Sequence, residues 1–214
     1  MKEAHLVYFA DPMCSWCWGF SPVIDAIQAT FGERLPIKLI MGGLRPGNNT
    51  PMDIKEKNDI RHHWEHVHEA SNQPFDFNFF EREQFVYDTE PAARAVIILR
   101  RQSPQLGLAA LKAIQQAFYA HNQDVTDIKV LADIAQSLGM DKQVFMDTFL
   151  SQDAQEETWA DFSVAQHSGV RGFPTLAAGT LSDQPYTLIT HGFQPTQSIL
   201  PILTKWFEKE ATTA

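Results

Sequence analysis

The stretch Asp11–Phe20, DPMCSWCWGF, decides how the rest of this chain is read. It holds both cysteines of the protein, Cys14 and Cys17. It follows a β-branched and aromatic run, HLVYFA (His5–Ala10), that reads as a buried strand. Beyond it, Ile24, Ile27 and Phe31 fall at helical spacing, and Gly32 is a stop signal. The pair therefore stands where a strand hands over to a helix. A disulfide across so short a segment closes a tiny loop and adds only roughly 2 kcal/mol, against about 4.7 kcal/mol for a loop of about 100 residues. It is a poor staple. At a helix start, by contrast, unsatisfied N–H groups and the helix dipole favour an anion. That favours the thiolate of Cys14 as a nucleophile, with Cys17 one turn later to attack a mixed disulfide and release the substrate.

Working outward, PIKLIMGG (Pro36–Gly43) reads as a second strand, and strand–helix–strand packs as a parallel pair. From about Asp53 to His167 the periods are helical. PMDIKEKNDIRHHWEHVHEAS reads as one polar helix and QPFDFNFF as an aromatic loop, whose rings either line a groove above the cysteines or form satellite core. Helices open at the cap residues Asp88 and Thr89, at Ser103 before Pro104, and near Thr126. Strand signals return in FPTLAAG and YTLITHGF, a hairpin across TLSDQP, before a last helix with Ile199, Leu203, Trp206 and Phe207 on one side. Pro201 leaves the start or straightness of that helix open.

The strand, CSWC opening a helix, and the late GVRGFPTL together resemble the thioredoxin superfamily. The long helical insert is similar to its DsbA-like branch. DPMCSWCWGFSP, YDTEPAARAV and GVRGFPTL resemble the FrnE-like, predicted protein-disulfide isomerase group within that branch. The resemblance spans nearly the whole chain. It implies an α/β thioredoxin fold with a large all-helical insertion: a discontinuous thioredoxin-like domain of residues 1–45 and 168–214 around an inserted helical domain of residues 46–167. It also implies that Pro174 is a cis proline beside the cysteines, leaving the backbone of Phe173 to pair with an extended substrate.

Two departures stand out. The dipeptide between the cysteines is Ser15-Trp16, without the histidine common in DsbA proteins, so a less oxidising pair is expected. Thioredoxin-like proteins often carry a buried carboxylate six residues before the first cysteine, and here that position is Tyr8. Asp11 is the nearest acid. It either handles the proton of Cys17 or simply caps the turn. Trp16 and Trp18 flank Cys17; Trp16 is expected to be partly exposed as an apolar rim for substrate, and Trp18 buried.

Composition narrows the partners. A formal net charge of −9 argues against nucleic-acid binding, and no apolar run approaches the length of a membrane helix. The N-terminal MKEAHLVYFADP lacks the long apolar region of a secretory leader, so a cytoplasmic location is expected. His62, His63, His66 and His68 lie on the polar helix, but their order is not H-E-x-x-H and no second C-x-x-C exists. They read as a solvated face, and no metal is expected. The expected activity is thiol–disulfide exchange, reductase or isomerase in kind. The expected partners are a disulfide-containing protein or small thiol substrate and a cellular thiol reductant. No cofactor is required, with glutathione retained as a co-substrate option. The main rival is a glutathione-dependent transferase or isomerase of the kappa-class or 2-hydroxychromene-2-carboxylate isomerase type, against which the presence of both thiols counts. A binding module whose thiols do little chemistry is the second rival.

Overall fold

The computed structural model describes residues 4–180 and 186–212. Four strands, β1 (His5–Ala10), β2 (Ile37–Met41), β3 (Thr175–Gly179) and β4 (Thr187–His191), form one sheet in the order β2-β1-β3-β4. β1 and β2 are parallel, joined through α1 (Ser15–Phe31), while β3 runs antiparallel to both β1 and β4. Residues 181–185, most of the expected hairpin turn, lie outside the described residues.

Six helices separate β2 from β3 in the chain: α2 (Ile54–Ser71), α3 (Glu90–Arg100), α4 (Pro104–Gln115), α5 (Ile128–Ser137), α6 (Lys142–Phe149) and α7 (Gln152–His167). α4 to α7 each open on a residue whose side chain accepts a first-turn N–H: Ser103, Asp127, Asp141 and Ser151. α2 opens on a reciprocal capping box between Asp53 and Glu56. Thr89 differs from the expectation. It precedes α3 but caps nothing; its hydroxyl accepts the N–H of Arg45, while Asp88 accepts from both Gly47 and Glu90. These two residues pin the loop after β2 onto the start of α3.

The helical block docks on the outer edge of the sheet through hydrogen bonds that a strand would otherwise supply. Met41 N–H donates to Asp161 Oδ2 at 2.8 Å, and Arg100 Nη1 donates to the Leu39 carbonyl at 2.6 Å and to Asp161 Oδ2 at 2.6 Å. One continuous core then runs from β1 and α1 into α3 and α4. The final helix, α8 (Thr196–Thr212), continues through Pro201, with Ile199 and Leu203 fully buried.

The aromatic segment after α2 is core. Its short 3-10 turn, Phe77–Glu81, folds around Trp64, whose ring centroid lies 4.9 Å from Phe79, 4.8 Å from Phe80 and 5.0 Å from Tyr119. Ring packing at these separations adds to the area buried. The amphipathic pattern of α2 hid this: the helix is polar nearly all round, and Trp64 and Val67 are its buried contacts.

Candidate active site

Cys14 occupies the N-cap of α1, and no side chain caps that helix. The first-turn N–H groups are thus left to whatever anion forms at Cys14. The Cys14 thiol donates to the carbonyl of Phe173 at 3.6 Å, a contact that joins chain positions 159 residues apart. The Phe173–Pro174 peptide bond is cis, and Pro174 is buried while Phe173 is half-buried. Pro174's carbonyl accepts Gly192 N–H at 2.7 Å, which anchors this loop to the end of β4. Gly42 is required beside it: a Cβ there would lie 2.0 Å from the Phe173 ring.

Cys17, one turn into the helix, is fully buried. Both thiols are free. Burial first, and then the neighbouring Cys14, push the Cys17 thiol well above its ordinary range, so it stays protonated at rest. Burial raises the Tyr8 phenol on β1 as well, with the neighbouring cysteines adding to it.

Asp11 is fully buried under the β1–α1 turn. One carboxylate oxygen accepts Met13 N–H at 2.9 Å, and the other accepts Leu44 N–H at 2.7 Å. Burial pushes its carboxyl from 3.8 up to about 6, against the opposing pull of those two N–H groups. Asp11 thus caps the turn, and it also sits close enough to Cys17 to raise that thiol's affinity for its proton.

Trp16 is half-buried and packs on Phe193, ring centroids 5.6 Å apart. Trp18 is buried, stacked over Tyr119, with its indole N–H donating to the Pro74 carbonyl at 3.0 Å. Pro22 lies inside α1 and has no N–H to offer the Trp18 carbonyl; Gln73 Nε2 donates to that carbonyl instead, at 3.3 Å. Tyr87 was missed as a site neighbour: its hydroxyl donates to the Met13 carbonyl at 2.7 Å and lies 3.5 Å from that of Tyr119. Its place in YDTEPAARAV was the available signal.

The four histidines of α2 are exposed, and among the described residues no group of three or more His, Cys, Asp or Glu side chains is arranged to hold a metal ion. Among those residues, too, no helix is long and apolar enough to cross a membrane.

Residues 8–199 match the family described as Thioredoxin. A solved structure of a candidate protein disulfide isomerase from Nitrosomonas europaea superposes with a TM-score of 0.89, at 37% identity over 97% of this chain and 99% of that one. The chain belongs to the Thioredoxin family. Its fold is accordingly a thioredoxin fold with a helical insertion. The cytosolic disulfide reductase DsbM from Pseudomonas aeruginosa, solved with GSH, shares that fold, with a TM-score of 0.72 at 23% identity and 98% coverage of both chains. In sequence, the chain is 26% identical over 176 residues to the ClpXP adapter protein SpxH of Bacillus subtilis, covering 82% of this chain and 58% of that relative. It therefore spans less than two thirds of the length of the curated relative it matches.

Proposed function

We propose that this DsbA-like protein is a thiol–disulfide oxidoreductase of the reductase or isomerase type. In this reading Cys14 attacks a substrate disulfide and Cys17 resolves the mixed disulfide. The Phe173 carbonyl and the cis Pro174 hold the substrate backbone, Trp16 forms an apolar rim, and Asp11 governs the ionisation of Cys17. The observation that carries this is the 3.6 Å contact of Cys14 Sγ with the carbonyl preceding the cis proline: a thiol at a helix N-terminus, 6% exposed where Cys17 has no exposed surface, next to backbone able to align an incoming chain. The burial of Cys17 supports its resolving role, because only a sulfur already bonded to Cys14 comes within its reach.

We place the protein in the cytoplasm, where a thiol reductant returns the pair to the dithiol and the net direction is reduction or isomerisation. Glutathione fits as reductant or co-substrate. The presence of both thiols favours exchange over the glutathione-transferase reading. A second reading, an adapter that presents a partner to a protease, is supported by the similarity to SpxH.

Insulin reduction separates these. Cys14→Ser abolishes it and Cys17→Ser accumulates mixed disulfides with substrate. Full activity in both variants would refute the exchange mechanism. Partner binding that survives loss of both thiols would favour the adapter.

A further inference from the structure

The peptide that leads into Cys14 is held by two parts of the chain far apart in sequence. Its N–H, that of Cys14, donates to the Asp11 carbonyl at 3.2 Å. Its carbonyl, that of Met13, accepts the Tyr87 hydroxyl at 2.7 Å, across 74 chain positions. Met13 has no exposed surface and Tyr87 is buried, so no solvent stands ready to replace that donor.

Tyr87 and Tyr119 both lie between β2 and β3, in the helical insertion. The Tyr87 ring is clamped: the Arg45 guanidinium stands 5.4 Å from its centroid, and the Phe85 and Phe118 rings meet it edge-on at 5.8 and 5.7 Å. Its hydroxyl lies 3.5 Å from that of Tyr119, which is fully buried. A phenol has one hydrogen to donate. Tyr87 gives its hydrogen to the Met13 carbonyl, so Tyr119 is the donor within the pair. The order is Tyr119, Tyr87, Met13 carbonyl, and each link polarises the next. Tyr119 is carried by a wide π-type turn, Gln116–Ala120, directly after α4. Such turns are rare and gather at functional sites.

We propose that this tyrosine pair is how the helical insertion positions Cys14 for attack. The inference rests on the exchange reading above. Fixing the Met13 carbonyl fixes the plane of the peptide before Cys14. That keeps Sγ beside the uncapped first turn of α1 and 3.6 Å from the Phe173 carbonyl. The benefit falls on the dithiol form. A Cys14 thiolate draws on the free first-turn N–H groups, whereas a Cys14 bonded to Cys17 carries no charge for them to hold. Tyr87 and Tyr119 touch no reacting atom and are positioning residues.

The test compares the whole chain with Tyr87→Phe and Tyr119→Phe. Tyr87→Phe keeps the ring beside Arg45 and removes the donor to Met13. Two quantities are read. One is the rate at which the reduced protein releases the first coloured thiol from a nitrobenzoate disulfide, which reports attack by Cys14. The other is the equilibrium with glutathione, in which two glutathione thiols are oxidised to one disulfide as the Cys14–Cys17 bond is reduced to two thiols. In Tyr87→Phe, attack at neutral pH is expected to slow by about tenfold, and the equilibrium to move about tenfold toward the Cys14–Cys17 disulfide. Tyr119→Phe leaves the Met13 donor in place and is expected to shift both by about two- to threefold. A purely structural role would lower the urea midpoint and leave the glutathione equilibrium of the folded protein where it was. An unchanged equilibrium in Tyr87→Phe therefore overturns the proposal, whatever its stability. So does a larger shift in Tyr119→Phe than in Tyr87→Phe. Should Tyr87→Phe fail to fold, an unchanged equilibrium in Tyr119→Phe overturns it. Release of no thiol by the unmodified protein is a different result, and it would overturn the exchange reading itself.

Discussion

Asp11 gives the sharpest quantitative expectation. Its carboxyl is displaced from 3.8 to about 6 by burial. At about 1.36 kcal/mol per pH unit, that displacement is worth roughly 3 kcal/mol of folding free energy. The folded chain binds the Asp11 proton more tightly than the unfolded chain does. The stabilisation is therefore complete below 3.8 and is lost as the pH rises through about 6. Asp11→Asn removes the titration. Its amide oxygen can accept only one of the two N–H donors, Met13 or Leu44, that the carboxylate serves, so the variant carries a fixed penalty of about 1–3 kcal/mol. That penalty is independent of pH, whereas the cost of ionising the buried acid is not. Urea unfolding of the reduced wild type and variant, compared between pH 4 and pH 8, should therefore show the difference moving in the variant's favour by about 2.5 kcal/mol across the window, the rest of the displacement having been lost below pH 4. A difference that stays flat across the range would refute the claim that Asp11 is a desolvated carboxyl. It would also remove the basis for its influence on Cys17.

Other expectations concern what holds the site. Gly42→Ala drives a methyl into the Phe173 ring and displaces the carbonyl that meets Cys14, so disulfide exchange should fall by on the order of tenfold in a reductase assay, with about 1–3 kcal/mol of stability lost. Arg100→Met leaves the Leu39 carbonyl without its side-chain donor and the Asp161 carboxylate without its cation, held only by Met41 N–H; about 3 kcal/mol should be lost as a lower urea midpoint at unchanged slope. Trp64→Ala empties the centre of the aromatic cluster and should cost about 3–5 kcal/mol by thermal or chemical unfolding.

Much of the fold was legible because its signals are local. A β-branched run, a cysteine pair at a helix start and helical periods need only neighbouring residues to be interpreted, and β1, α1 and β2 follow from them. Ser103 before Pro104 is a complete instruction to start a helix, since the hydroxyl reaches an N–H three residues on. Thr89 was read by the same rule and does otherwise, because a donor from a distant loop, Arg45 N–H, takes its hydroxyl. Trp64 was hidden in a polar helix because its partners come from the loop after α2 and the helical turn that follows α4.

The sequence alone determined the position of the two thiols: residue spacing at a strand–helix junction sets which sulfur meets a helix end and which lies a turn inside, a matter of backbone geometry. Only the tertiary structure decided what those sulfurs experience. The Phe173 carbonyl at Cys14, the burial of Cys17 and the sealed carboxyl of Asp11 depend on packing and on groups far apart in the chain. Desolvation and through-space contact carry no local signature, and they keep Cys17 protonated and raise the Asp11 carboxyl.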